Sequence, residues 1–79
     1  MTIIDVRSPQ EYQSGHAESS INIPLQEITN RVLEIKAFNQ PIILCCASGN
    51  ISGQAIDFLT SEGVECENGG AWQNLVNEL

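Results

Sequence analysis

Cationic side chains are scarce in this sequence. Only 3 of its 79 residues are lysine or arginine, against 10 aspartates and glutamates, and the formal net charge is −7. Nucleic acids and anionic membrane surfaces are bound through clustered lysines and arginines. We therefore expect neither a nucleic acid nor a membrane as the partner of this chain.

Long apolar runs and recognisable sets of metal ligands are also absent from the sequence. No segment approaches the roughly 18 consecutive apolar residues of a membrane-spanning helix. The three cysteines, Cys45, Cys46 and Cys66, form no Cys-x-x-Cys pair, and the single histidine joins no cluster. Zinc sites and small disulfide frameworks need such spacings. We expect no metal site and at least one free thiol.

Length and composition predict one globular domain. A chain of 79 residues with 42% apolar residues suits a single small domain over residues 1–79. No basic region followed by an apolar stretch opens the sequence, so we expect no signal peptide and a cytoplasmic location. A periplasmic location is the alternative if a leader has been removed.

Short apolar runs alternate with helical patterns along the chain. Strands are predicted where β-branched and apolar residues cluster, at residues 2–6, 21–24, 41–46 and 64–66. Helices are predicted from a capped, proline-led start or from apolar faces, at residues 9–15, 25–35, 52–62 and 72–79. A turn is predicted at Gly69-Gly70.

This alternation predicts an α/β fold. The connections are too long for hairpins, so we expect a small, mostly parallel sheet with helices on both faces. Sites in such sheets form outside the carboxyl ends of the strands. Cys46 lies at one such end, before a loop of small residues and a helix predicted to begin at Ser52. Because backbone amides and a helix N-terminus stabilise a thiolate, Cys46 is the candidate nucleophile.

Five short segments of the sequence match, in the same order, the motifs of a known family of domains. They are Ile-Asp-Val-Arg-Ser-Pro-Gln-Glu-Tyr at 4–12, Gly-His-Ala at 15–17, Ile-Asn-Ile-Pro-Leu at 21–25, Cys-Ala-Ser-Gly-Asn-Ile-Ser-Gly-Gln-Ala at 46–55, and Gly-Gly-Ala-Trp at 69–72. In order and spacing they resemble rhodanese-like domains over nearly the whole chain. The compact size is similar to that of small single-domain thiosulfate sulfurtransferases of the phage-shock protein E type. The resemblance implies a single rhodanese-like domain.

The resemblance also implies sulfur transfer in two steps. The Cys46 thiolate would take the outer sulfur of thiosulfate, or of another sulfane-sulfur donor, and hold it as a persulfide. Cyanide, a small thiol or a protein thiol would then collect that sulfur. The implied substrate-binding groups are loop amides and the helix N-terminus, at Ala47, Ser48, Gly49, Asn50, Ile51 and Ser52. No metal or organic cofactor is implied, and we expect the chain to act as a monomer.

Residues 47–52, which we call the cysteine loop, depart from the family in charge. Members commonly carry a cationic or other polar residue near the positions of Asn50 and Ile51, where this chain has neither arginine nor lysine. Because thiosulfate is a dianion and the chain is negative, we expect weak thiosulfate binding with a high KM. The uncharged loop keeps open the alternative of a non-catalytic module that binds a partner or senses persulfides.

A phosphatase or arsenate reductase is the remaining class that uses such a loop. Its chemistry needs an arginine six residues after the cysteine, to clamp a tetrahedral anion. Counted from Cys45 and Cys46, those positions hold Ile51 and Ser52. The sequence therefore argues against this class.

Asp5 and Arg7 are the other candidate site residues. Both lie at the end of the first predicted strand, near the edge that holds Cys46. One hypothesis is that they tune the site or contact substrate. We favour the other, that they form a structural pair that fixes the following turn, because most such pairs are structural.

Four further residues are assigned structural roles. Cys45 is predicted to be a core thiol, because neighbouring side chains of a strand point to opposite faces. Cys66 and Trp72 are also predicted to lie in the core, the alternative for Trp72 being a wall of the site entrance. His16 occupies a structural turn in the family, and we favour that role over a general base.

Overall fold

Four parallel strands form the sheet, in the order β2-β1-β3-β4. The computed structural model of the chain describes residues 1–76. The strands are β1 (Thr2–Asp5), β2 (Ile21–Asn22), β3 (Ile42–Cys46) and β4 (Cys66–Ala71). Each neighbouring pair is parallel, so the predicted parallel sheet is confirmed.

Within the described residues, four α-helices and one 3-10 helix connect and flank the strands. They are α1 (Pro9–Gln13), the 3-10 helix (Leu25–Asn30), α2 (Val32–Lys36), α3 (Asn50–Ser61) and α4 (Gln73–Val76). Helix α1 begins as predicted, because the Ser8 hydroxyl accepts the Glu11 amide and the Glu11 carboxylate accepts the Ser8 amide. Across residues 1–76, no helix combines the length and apolar character needed to cross a bilayer.

The helix predicted over residues 25–35 is divided in two. The 3-10 helix and α2 meet at Arg31, whose φ of −120° departs from helical geometry. Asn30, the last residue of the 3-10 helix, is a poor helix former because its side chain competes for backbone hydrogen bonds. Ile28 and Ile35 are nevertheless buried, so the apolar spacing identified core side chains correctly.

The two faces of the sheet carry separate apolar cores. The larger lies under the 3-10 helix, α2 and α3 and contains Ile4, Val6, Ile23, Ile28, Ile35, Ile42, Leu44, Cys46, Ala55, Leu59 and Val64. The smaller contains Ile3, Ala17, Cys45 and Leu75, with Ile43 and Trp72 packed against it. Because α3 packs on one face and α4 on the other, the predicted placement of helices on both faces is confirmed.

Strand β4 starts later than predicted and continues through both glycines. The sequence predicts a strand at 64–66 and a turn at Gly69-Gly70, whereas β4 runs over Cys66–Ala71. Its register with β3 shifts near the end of that strand, as at a β-bulge. Gly70 has a φ of +75°, which glycine adopts without a steric penalty. The glycines therefore permit an irregular strand rather than a turn.

The two C-terminal helices also differ from prediction at their ends. Helix α3 begins at Asn50 rather than Ser52, because Gly49, with a φ of +95°, turns the chain directly into the helix. In α4, Leu75 is buried but Val76 is 46% exposed, so the prediction that Val76 belongs to the apolar face is wrong. Leu79, predicted on the same face, lies outside the described residues.

Gly69→Ala is expected to lower the free energy of unfolding by about 1–3 kcal/mol. A Cβ at this position would lie 2.9 Å from Ile43 Cγ2 and 3.2 Å from the Leu44 carbonyl oxygen, and neither atom moves easily. Urea unfolding followed by circular dichroism measures the change. The matched control is Gly53→Ala in α3, where the nearest atom is 3.8 Å away and alanine favours the helix. Equal stability of the two variants would contradict the prediction.

Candidate active site

Cys46 ends β3 at the carboxyl edge of the sheet, directly before the cysteine loop. Its carbonyl accepts a hydrogen bond from the Trp72 amide at 2.9 Å, which anchors the end of the strand. The residue has no exposed surface, and neither has Cys45. Cys46 belongs to the larger core and Cys45 to the smaller one, because consecutive side chains of a strand alternate between faces.

The cysteine loop curls back over the sulfur of Cys46. Gly49 makes this possible with its φ of +95°, and a Cβ there would lie 3.2 Å from Gly70 Cα. The Gly49 amide consequently donates to Cys46 Sγ at 2.8 Å. The hydroxyl of Ser52, from the first turn of α3, lies 3.5 Å from the same sulfur. The backbone conformation of Gly49 thus places its own amide and the Ser52 hydroxyl beside the sulfur of Cys46.

These contacts make Cys46 the more acidic of the two adjacent thiols. Burial raises the pKa of Cys46, but hydrogen bonds from the Ser52 hydroxyl and from the amides of Ser52, Ser48 and Gly49 outweigh it, and the net pKa is lowered. Burial, with the nearby Asp5 carboxylate, raises the pKa of Cys45 to about 12. The thiolate, which is the nucleophilic form, therefore forms preferentially at Cys46.

Not all residues of the cysteine loop direct their amides at the sulfur. The Asn50 amide donates to Ser48 Oγ at 3.4 Å instead. The structure gives no hydrogen bond to Sγ from the Ala47 or Ile51 amides within the part of the chain it describes. Apart from the half-buried Gly49 and the buried Ser52, the loop residues are exposed. Gly49 and Ser52 are the loop residues whose atoms lie 2.8 and 3.5 Å from the sulfur.

Asp5 and Arg7 form a buried ion pair beneath the loop that follows α1. Arg7 Nε donates to Asp5 Oδ1 at 3.0 Å and Nη2 donates to Asp5 Oδ2 at 2.9 Å. Nη2 also donates to the Gly15 carbonyl at 2.6 Å, and the guanidinium carbon lies 4.9 Å from the centre of the Trp72 ring. With Nε and Nη2 engaged in this way, Arg7 supports the turn, and the arrangement favours the structural hypothesis.

The other cationic side chains are not seen at the cysteine loop. Arg31 pairs with Glu27 at 3.1 Å and with Glu34 at 2.9 Å on the surface. Lys36 lies in the last turn of α2. Among residues 1–76, no hydrogen bond or ion pair joins a lysine or arginine to the cysteine loop.

His16, Trp72 and Cys66 are likewise engaged away from the sulfur. The His16 ring stacks on Tyr12 at 3.7 Å between centroids, and its Nδ1 lies 2.7 Å from the Tyr12 carbonyl oxygen. The Trp72 side chain packs against the smaller core. Cys66 is half-buried, with Sγ 3.5 Å from Thr60 Oγ1. His16 is thus part of a local turn and, among the described residues, makes no hydrogen bond to Cys46.

The sequence analysis missed Asn68, an exposed residue of β4. Its Oδ1 accepts the Ser52 hydroxyl at 2.7 Å and the Gly70 amide at 2.8 Å. Its Nδ2 donates to the Gly49 carbonyl at 3.0 Å. In sequence, an asparagine before two glycines indicates only a turn. The register of β4 beside β3 was needed to bring this amide to the cysteine loop.

Comparisons with known proteins agree on one family. Residues 1–75 match the rhodanese-like domain. The chain is 36% identical over 74 residues to the thiosulfate sulfurtransferase PspE of Escherichia coli (strain K12), covering 91% of this chain and 71% of PspE. A rhodanese from E. coli, solved with anions, has 36% identity and a TM-score of 0.83, over 92% of this chain and 88% of that one.

A second relative is the thiosulfate sulfurtransferase GlpE of Pseudoalteromonas translucida (strain TAC 125). The identity is 37% over 65 residues, covering 82% of this chain and 61% of GlpE. The chain therefore spans less than two thirds of this relative's length.

Arg7→Ala is expected to lower the free energy of unfolding by about 3–5 kcal/mol, because it leaves the Asp5 carboxylate buried without its partner. Thermal and urea unfolding measure the loss. Arg31→Ala is the matched control, since it removes the same side chain from exposed pairs that contribute little. If both variants unfold at the same denaturant concentration, the structural role assigned to Arg7 is wrong.

Proposed function

The chain belongs to the rhodanese-like domain family, and we propose that it transfers a sulfane sulfur through a persulfide on Cys46. Relatives named thiosulfate sulfurtransferases make sulfur transfer the activity that family membership supports. The observation that carries the assignment to Cys46 is the amide of Gly49, 2.8 Å from its Sγ. A buried sulfur held by donors, at the end of a strand and before a helix, is suited to bear negative charge.

In the first step, the Cys46 thiolate attacks the outer sulfur of the donor. A bond forms between Sγ and that sulfur, and the bond from the outer sulfur to the rest of the donor breaks with its electron pair. With thiosulfate the leaving group is sulfite. The product is a persulfide anion on Cys46, and no proton, metal or redox cofactor is needed to balance the step.

In the second step, a nucleophile collects the terminal sulfur. Cyanide or a thiolate attacks that atom, the bond to Sγ breaks, and the Cys46 thiolate is restored. Cyanide would give thiocyanate, and a thiol would become a persulfide. No part of this chemistry requires a second subunit, so we propose that the chain acts as a monomer with a cyanide, small-thiol or protein-thiol acceptor.

The cysteine loop would stabilise both anions. The charge resides on Sγ in the resting thiolate and moves outward to the terminal sulfur in the persulfide. The Gly49 amide, 2.8 Å from Sγ, is the donor placed for such a charge, and the amides of Ser48 and Ser52 add to its effect on the pKa of Cys46. Because Cys46 is fully buried, the donor must enter through a local opening of the exposed loop residues.

The charge around the loop argues for weak use of thiosulfate. Arg7 is committed to Asp5 and Gly15, and the chain carries a net charge of −7. At the position next to the helix start, Ile51 is 41% exposed and offers no charge to a dianion. We propose a high KM for thiosulfate and better use of a donor that carries less charge.

Incubation with thiosulfate, followed by intact-mass analysis, is expected to show a gain of about one sulfur mass on the wild-type chain. Cys46→Ser should gain nothing, because it lacks the thiolate that forms the persulfide. Cys45→Ser is the matched control at the adjacent residue and should gain the same mass as the wild type.

Two results would contradict the proposal. An adduct that survives in Cys46→Ser and disappears in Cys45→Ser would show that the wrong thiol was assigned. No adduct with thiosulfate or with a persulfide donor, while Cys46 remains open to alkylation, would favour the non-catalytic binding or sensing module.

Ile51→Arg is expected to lower the KM for thiosulfate about tenfold, as one charge-assisted hydrogen bond to the dianion would. Steady-state kinetics with cyanide as acceptor measure the change. Ser61→Arg adds the same charge at the other end of α3, roughly 15 Å away, and should leave the KM close to the wild-type value. An equal fall in both variants would mean that net charge, not a local contact, limits binding.

A further inference from the structure

Asn68 joins three parts of the molecule that meet around Cys46. Its side-chain oxygen accepts from the Ser52 hydroxyl in α3 and from the Gly70 amide in β4, at 2.7 and 2.8 Å. Its side-chain nitrogen donates to the Gly49 carbonyl at 3.0 Å. We propose that Asn68 is a positioning residue for Cys46, which holds the Gly49 amide on the sulfur and orients the Ser52 hydroxyl beside it.

The bond to Gly49 fixes the most adaptable residue of the cysteine loop. Glycine has access to more backbone conformations than any other residue, and Gly49 is the one whose amide lies 2.8 Å from Cys46 Sγ. The Gly49 carbonyl accepts a hydrogen bond from Asn68 in β4. This bond restrains the backbone of Gly49 after its Cα, while the amide that contacts the sulfur lies before it. The Gly49 amide is thereby kept on the sulfur although, among the described residues, Asn68 itself makes no hydrogen bond to Cys46.

The hydrogen bond between Ser52 and Asn68 orients the hydroxyl proton of Ser52. The Ser52 hydroxyl has two oxygen acceptors, Asn68 Oδ1 at 2.7 Å and the Gly49 carbonyl at 3.1 Å. While its proton lies toward Asn68, its oxygen accepts from the Cys46 thiol at 3.5 Å. When Cys46 loses its proton, the Ser52 hydroxyl has to leave Asn68 Oδ1 to donate to the thiolate, so the bond of Asn68 that acts on the thiolate is the one to Gly49. Ser52 thus serves both protonation states from one position.

Asn68→Ser separates this role from a purely structural one. A serine oxygen can still accept the Gly70 amide, because serine replaces asparagine in local turns, but it is too short to reach Gly49 and Ser52 together. Asn68→Ala removes all three bonds and serves as a second variant. Asn74→Ala is the matched control, since it removes the same side chain near Gly70 from a position without a hydrogen bond among the described residues.

The readout is the pH dependence of Cys46 alkylation by iodoacetamide, with the melting temperature measured in parallel. Fewer donors on the thiolate should raise the apparent pKa of Cys46 by about half a unit or more in both Asn68 variants. Below that pKa, alkylation should slow about threefold, in proportion to the thiolate fraction. The control should match the wild type.

An unchanged alkylation pKa in Asn68→Ser and Asn68→Ala would overturn the inference, even if both melt at a lower temperature. An equal shift in Asn74→Ala would overturn it as well. The inference rests on the proposed role of Cys46, but alkylation reports the thiol itself. Failure to detect a sulfur adduct is therefore a separate result from failure of Asn68 to shift the pKa.

Discussion

The hydrogen bond from the Gly49 amide to the sulfur of Cys46 is the contact on which the rest of the site depends. It forms at 2.8 Å only because Gly49 has a φ of +95°, which turns the chain from β3 into α3 within three residues of the cysteine. The same turn delivers the Ser52 hydroxyl and the first amides of α3. Burial alone would favour a neutral thiol, so these donors make Cys46, and not Cys45, the more acidic of the two thiols.

Because side chains alternate between the two faces of a strand, Cys45 and Cys46 lie in two different environments. Cys45 faces the smaller core with Ile3 and Leu75, where burial raises its pKa to about 12. Cys46 faces α3 and receives hydrogen bonds. The Asp5–Arg7 pair supports this edge of the sheet from below, through Gly15 and the Trp72 ring. The difference in pKa between Cys45 and Cys46 therefore follows from the direction in which the backbone of β3 points each side chain.

Features that depend on local sequence were predictable, and those that depend on contacts between distant segments were not. The capped start of α1, the parallel sheet and the position of Cys46 at a strand end follow from short patterns. Strand β4 was misplaced because Gly69 is required by its packing against Ile43 and Leu75. These two residues lie outside the short pattern from which the turn was predicted. Asn68 was missed for the same reason, since its partners in the cysteine loop meet it only across the sheet.

The pH dependence of alkylation at each cysteine of the wild-type chain tests the account most directly. Iodoacetamide labelling over a range of pH, with peptide fragmentation to assign each adduct, gives a titration for Cys46 and for Cys45. The account predicts that Cys46 titrates below the roughly 8.5 of an ordinary thiol, while Cys45 stays unlabelled until strongly alkaline pH. Labelling of Cys45 first, or a Cys46 titration at or above that of an ordinary thiol, would contradict it.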